Sequence, residues 1–355
     1  MNDSSMPSPA ADGAAAAALS GAEVAALVGG VLHGEAPGPF RDLRDLRDAG
    51  PHDVAFFAAG GVGARPPRRE DLDALAATRA GLLLVADPQH AGGRPHVLVA
   101  DPHLAAARLL RRFVGADAAP EPTGPPEVDP SAVVSPEAEL GAGVRVGPFC
   151  VVGRGAVLAP GVVLHERVSV GAGVHVGAGS RLHPGVVLYP NVRLGERCTL
   201  HANVVLGAPG FGYAWDGARH LHVPQRGGVL VGDGVEIGAG STVDAGTFRP
   251  TEVGDGCILD DLVQVGHNCR LGRHVVLCGQ VGLAGGVEVG DGAVLGGQAG
   301  VGNRVRIGPG ARVAGQAAVF RDVPPGGTVA GSPAVDYATY RRMQARLRRM
   351  GRHDD

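Results

Sequence analysis

The chain has 355 residues and a formal net charge of −3, a balance that gives no electrostatic case for nucleic acid or an anionic membrane. No run approaches the roughly 18 apolar residues that a membrane span needs. Glycine is abundant (59), aromatic residues make up only 4%, and all 32 basic residues are arginine, which suits a tightly coiled β architecture better than a helical or doubly wound one.

Residues 1–19 carry an alanine run, an acidic Asp3 and no arginine before Arg41, so they lack the charged start of a secretory signal and read as a disordered tail. Residues 20–118 read as a small α/β domain. Ser20 followed by Glu23 forms a capping box ahead of the apolar stripe Val24, Leu27, Val28. A second helix opens at Glu70, Gly81–Val85 and His96–Val99 read as buried strands, and a last helix is expected over 103–113. The proline-rich stretch 119–127 then makes a stiff linker.

From Val128 to Leu206 a Val or Leu recurs every six residues without a slip. The series resumes at Val231, Ile237 and Val243, and again from Val253 to Val319. A hexapeptide repeat of this kind predicts a parallel β-helix over 128–330, with three short strands per coil, so that residues eighteen apart lie one above the other. Cys150, Cys198, Cys257 and Cys269 each fall four places after an anchor, in a slot for small apolar side chains. With Cys278 they make five, an odd number without a CxxC pair, which argues against a zinc ribbon or a disulfide framework and fits a cytoplasmic protein. His165, His183 and His201 should stack in one column; neighbours spaced along an edge do not converge on a point, so no metal is expected there. Two breaks, 208–229 and 245–252, leave the coil, and the first gathers Phe211, Tyr213 and Trp215, as a binding loop would. Residues 331–355 read as a basic helix with a tail, carrying Arg341, Arg342, Arg346, Arg348 and Arg349 to meet an acidic protein.

The chemistry centres on His267, whose imidazole can take and return a proton near neutral pH. Asp260, seven residues earlier, is expected to orient it, and Gly285, eighteen residues later, should lie directly over it and offer a backbone N–H to an oxyanion. Base, carboxylate and donor together suit acyl transfer to an amine or hydroxyl without metal, cofactor or enzyme nucleophile.

The α/β domain, the hexapeptide coils, Gly210-Phe211-Gly212-Tyr213 followed by Val223-Pro224-Gln225, Val243-Asp244, and the run from Ile258 to Asn268 together resemble the UDP-3-O-acylglucosamine N-acyltransferases of lipid A biosynthesis. The resemblance implies a left-handed β-helix, a homotrimer with sites between subunits, and a first domain that binds uridine. It also implies transfer of a 3-hydroxyacyl chain from acyl carrier protein to the 2-amine of UDP-3-O-acylglucosamine. His267 would then be the base, Asp260 its partner and Gly285 the oxyanion donor, with Phe56, Phe211, Tyr213, Gln264, Asn268 and Arg304 facing substrates. The chain departs from the family pattern at Arg304 (histidine), Pro209 (aspartate), Ala245 (arginine) and over Ala58-Ala59-Gly60-Gly61 of the uridine motif. The rival readings are an O-acyltransferase acting on UDP-N-acetylglucosamine or another nucleotide sugar, and a non-catalytic trimeric scaffold that binds a nucleotide sugar.

Overall fold

The computed structural model describes residues 18–36, 38–58, 66–114 and 124–350, and the chain divides into two compact units, Met1–Pro120 and Glu121–Asp355. Most of the expected tail and part of the expected linker lie outside the described residues, as do Ala59, Gly60 and Gly61. At their described edges the boundaries move. Leu19 is buried and exchanges backbone hydrogen bonds of 2.8 and 2.6 Å with Phe40, and Glu127–Val128 is already the first solenoid strand.

The first unit runs α1 (Gly21–Val28), β1 (Val31–His33), β2 (Asp42–Leu43), β3 (Asp53–Phe57), α2 (Arg69–Ala77), β4 (Leu82–Val85), β5 (His96–Leu98) and α3 (Pro102–Phe113). The Ser20 hydroxyl accepts from the Glu23 N–H while the Glu23 carboxylate takes the Ser20 N–H, the capping box read from the sequence. The sheet order is β1-β5-β4-β3-β2, with β1 antiparallel to β5 and the other pairs parallel. The period-two pleat sorts β4 between two cores: Leu82 and Leu84 pack with α1 and α3, whereas Leu83 and Val85 pack with Leu75 of α2. Every residue of β4 is buried, which explains its unbroken apolar run.

The second unit is a left-handed parallel β-helix. Its strands, mostly two residues long with the second side chain inward, stack into sheets of 10, 9 and 12 strands. Away from the two insertions each two-residue strand turns a six-residue anchor inward, and the slot four places on is filled by Val, Ala, Cys or Ser, giving one continuous core. The first anchor, Val128, is 42% exposed because no coil lies beneath it. Cys150, Cys198, Cys257 and Cys269 occupy the small slot as expected, each sulfur within 2.8–3.2 Å of a carbonyl oxygen in the next coil. Burial pushes the thiols of Cys257 and Cys269 up to about 11. His165, His183 and His201 stack at 4.8 and 5.2 Å with nearly parallel rings. After the last coil, Val335–Asp336 pairs antiparallel with Thr328–Ala330, so α4 begins at Tyr337 and ends at Met350.

Among the described residues, no helix is long and apolar enough to cross a membrane. None of them form a group of three or more His, Cys, Asp or Glu arranged to hold a metal ion.

Candidate active site

His267 lies at the corner between Gln264–Val265 of the 10-stranded sheet and Arg270–Leu271 of the 9-stranded one. Above it the register is the ordinary eighteen, Val265 pairing with Leu283, which puts Gly285 over the ring. A Cβ built on Gly285 would sit 2.6 Å from His267 Nε2 and 2.7 Å from Cε1, so glycine there is what leaves the space above Nε2 open. The Gly285 N–H meets no acceptor among the described residues, and its carbonyl accepts from the Arg304 N–H at 3.1 Å. On the other side of the ring lies Gly210, where an added Cβ would collide with His267 Cβ and come within 3.1 Å of Cδ2. The imidazole is held between two glycines.

The ring's protonation follows from its neighbours. Asn268, at φ 61°, sits in the left-handed region that asparagine tolerates. Its Oδ1 is 3.2 Å from the Thr247 N–H, which can only donate, and its Nδ2 donates to the Arg249 carbonyl at 3.3 Å. These two partners fix which end of the amide is oxygen, and that oxygen is 3.0 Å from His267 Nδ1. Nδ1 therefore carries the proton, and the lone pair is on Nε2, beneath Gly285.

The carboxylate that feels the ring's charge is Asp244, a residue the sequence pattern does not mark as part of the site. Val243 pairs with Val265, placing Asp244 on the strand beneath the one that leads into His267. Burial raises its pKa above the ordinary carboxylate value, while the His267 charge and a 3.2 Å hydrogen bond from Gln264 Nε2 pull it back. Asp260, expected to orient the ring, does not reach it. It follows Ile258–Leu259 of the 12-stranded sheet, and successive strands of a coil lie on different faces, so it stands at a different corner. Its carboxylate accepts from the N–H groups of Asp261 (2.8 Å) and Gly279 (2.9 Å) and lines a separate cavity of about 250 Å³ with His201, Glu236 and Cys278.

The remaining expected residues divide between the two units. Asn268 bonds the His267 ring, Gln264 bonds Asp244, and Arg304 lies one coil above, its N–H on the Gly285 carbonyl and its Cγ 3.3 Å from where a Cβ on Gly286 would be. Phe211 and Tyr213 follow directly on Gly210 in the long loop. Their rings meet edge to face at 5.2 Å, and Phe211 is 85% exposed, available to a ligand rather than committed to a core. Tyr213–Trp215 and His220–His222 form the hairpin of that loop. Phe56 lies on β3 of the first unit, edge to face with His103 and lining a cavity of about 300 Å³ with Leu46, Phe57, Arg68 and Asp71.

A hexapeptide solenoid with a histidine whose Nε2 is left open at a glycine-lined corner defines the class, a hexapeptide-repeat acyltransferase. The family model for bacterial transferase hexapeptides matches residues 173–208. A UDP-3-O-acylglucosamine N-acyltransferase 1 of Gloeobacter violaceus is 44% identical over 307 residues, 81% of this chain and 85% of that one. The UDP-3-O-acylglucosamine N-acyltransferase of Bordetella pertussis is 40% identical over 262 residues, 71% of this chain and 69% of that one. Among solved structures, an Arabidopsis UDP-N-acetylglucosamine acyltransferase matches with 26% identity and a TM-score of 0.53, covering 58% of this chain and 72% of that one. The chain belongs to the UDP-3-O-acylglucosamine N-acyltransferase family.

Proposed function

We propose that the protein transfers a 3-hydroxyacyl chain from acyl carrier protein to the 2-amine of UDP-3-O-acylglucosamine, a step of lipid A biosynthesis, working as a homotrimer in the cytoplasm. The observation that carries this reading is the His267 ring, held between Gly210 and Gly285 with its Nδ1 proton committed to Asn268 and its Nε2 lone pair exposed. In the reaction the amine attacks the thioester carbonyl and gives its proton to His267 Nε2. The oxyanion that develops takes the Gly285 N–H. Collapse breaks the C–S bond, the departing thiolate recovers the proton from His267, and an amide remains. Asp244 stabilises the imidazolium between these steps. Arg304 meets the phosphate or hydroxyl of the donor's arm, Phe211, Tyr213 and Gln264 contact the acceptor, and Phe56 contacts its uridine. Apolar side chains exposed on the solenoid, among them Phe149, Val151, Ile258 and Leu262, support assembly with further copies, which would cover them. Five free cysteines are in keeping with a reducing compartment.

The test is incubation of the protein with 3-hydroxyacyl acyl carrier protein and UDP-3-O-acylglucosamine, with UDP-N-acetylglucosamine in a parallel reaction, reading products by mass spectrometry. N-acylated product from the first acceptor alone is expected. Product only from the second would make the enzyme an O-acyltransferase, and product from neither a scaffold. His267→Ala should lower turnover by about 10²–10⁴ while leaving the thermal transition unchanged, and activity above a tenth of wild type would remove His267 as base.

A further inference from the structure

The two segments that leave the coil meet beside the corner that carries His267, and each brings an arginine. The Arg226 N–H donates to the Thr247 carbonyl at 2.9 Å and the Gly227 N–H to the Gly246 carbonyl at 2.7 Å, while the Thr247 hydroxyl reaches Gln225 Oε1 at 2.8 Å. A Cβ on Gly227 would collide with the Arg249 carbonyl, so the backbones of Arg226 and Arg249 are neighbours. The shorter segment is in turn fixed to the corner, because the Thr247 N–H and the Arg249 carbonyl hold the Asn268 carboxamide at 3.2 and 3.3 Å. Both arginines are exposed, and among the described residues neither guanidinium has an ion pair or a hydrogen bond. The other cations nearby are placed differently: Arg270 is paired with Glu252 at 3.3 Å, and Arg304 lies one coil above His267, its N–H on the Gly285 carbonyl. At the tip of the shorter segment the N–H groups of Phe248 and Arg249 also find no acceptor among the described residues.

We infer that Arg226 and Arg249 bind the diphosphate of the nucleotide-sugar acceptor, with the Phe248 and Arg249 N–H groups as further donors. The inference rests on the reading of His267 as the base for acyl transfer to the sugar's 2-amine. In that acceptor the diphosphate is carried on C1, the carbon next to the one that bears the amine. Once the amine is at Nε2, the phosphates therefore lie close to the same ring. The chain has no lysine, so the fixed cations that can meet them are arginines. Gly285 and Arg304 occupy the side above the ring, where the thioester arrives, which leaves the segments bearing Gly210, Arg226 and Arg249 to the acceptor. Guanidiniums grip phosphate oxygens through parallel N–H bonds, and free backbone N–H groups of a turn add donors to the same anion. Because neither guanidinium is held by a carboxylate, no ion pair has to break when phosphate binds.

Arg226→Ala and Arg249→Ala keep the backbone N–H and carbonyl that hold Thr247 and Asn268, so they remove charge and leave the His267 ring in place. Each should weaken binding of UDP by about 10-fold and the double variant by about 100-fold in calorimetric titration, with binding of uridine, which has no phosphate, unchanged. Arg226→Gln and Arg249→Gln serve should an alanine variant fail to fold. In turnover the double variant should raise the acceptor's KM by a similar factor and leave kcat and the donor's KM near wild type. A wild type that binds UDP no better than uridine, UDP binding that survives both substitutions, or an equal loss for UDP and uridine overturns the inference. So does a rise confined to the donor's KM, which would assign the arginines to the phosphodiester of the carrier's arm. If the wild type transfers no acyl chain, yet prefers UDP to uridine and loses that preference in the double variant, the proposed function fails and the phosphate site stands.

Discussion

At His267 the room around the ring is set by side chains that are missing. Gly285 has no left-handed φ, so alanine there adds no backbone strain, and the whole cost falls on the imidazole, 2.6 Å from the new Cβ. Gly285→Ala should therefore lower turnover by about 100-fold with a thermal transition near that of wild type; full activity would mean that nothing reacts in that space. Asp244 makes the opposite compromise. Burial raises its pKa, so the folded protein holds this proton more tightly than the unfolded chain does. Its contribution to stability is then complete below the ordinary carboxylate range and is lost as pH rises through the raised value. Asp244→Asn should unfold at a higher temperature than wild type near neutral pH, with the difference vanishing in acid, and should turn over slowly at every pH. Calorimetry from about pH 3 to pH 8, spanning the ordinary Asp value, checks the sign.

At the scale of elements, the repeat made most of the solenoid legible, and the insertions explain what it hid. An aliphatic anchor every six residues is a direct record of a coil that closes in eighteen, so the stacking of Gly285 over His267 followed by counting. Below His267 the same count fails, because Val243 pairs with Val265 at a spacing of 22 and Leu206 pairs with Val243 at 37. Asp244 lies beyond the shorter insertion, Gly210 and Thr247 lie within the two, and only the fold brings them to the neighbourhood of the ring. Asp260 misled for a different reason, since nearness along a coil is not nearness in space when each strand turns onto a new face. The fold also joins two of the positions at which the resemblance marks departures: Pro209 and Ala245 are register partners in adjacent strands. In the first unit, β2 is two residues long and left no periodic trace, whereas the buried run of β4 did. The histidine column was countable and carries its own prediction. Burial, then the charges of His165 and His201, lower the pKa of His183, so stability is complete above the ordinary histidine value of 6.5 and falls as pH drops through the lowered one. His183→Gln should flatten the decline of thermal midpoint in that window, and an unchanged slope would show that the column does not govern it.

Over the whole molecule the charge is distributed unevenly. The formal net charge is −3, yet α4 holds Arg341, Arg342, Arg346, Arg348 and Arg349 with no acidic residue and no buried side chain. A helix so placed has no core function for its arginines, and its packing against Thr328–Ala330 and Val335–Asp336 fixes it to the end of the solenoid as a charged cap. Exposed charge of one sign raises the rate at which an oppositely charged partner arrives and adds little to affinity once the partner is docked. For an acidic carrier protein, the attraction acts over a screening length of about 30 Å at 0.01 M salt and about 3 Å at 1 M. The donor's KM should therefore rise with ionic strength, while the KM of the small acceptor changes much less. Replacing Arg341, Arg342 and Arg346 together with alanine should raise the donor's KM at low salt to near its high-salt value and leave kcat unchanged, because α4 contributes no group to the reaction. Arg304 separates from the helix in the same measurement. Its N–H donates to the Gly285 carbonyl and its side chain packs by Gly286, one coil above His267, so Arg304→Ala should raise the donor's KM at every salt concentration. A donor KM that ignores salt in wild type, or that the triple variant leaves salt-dependent, would show that α4 does not steer the carrier.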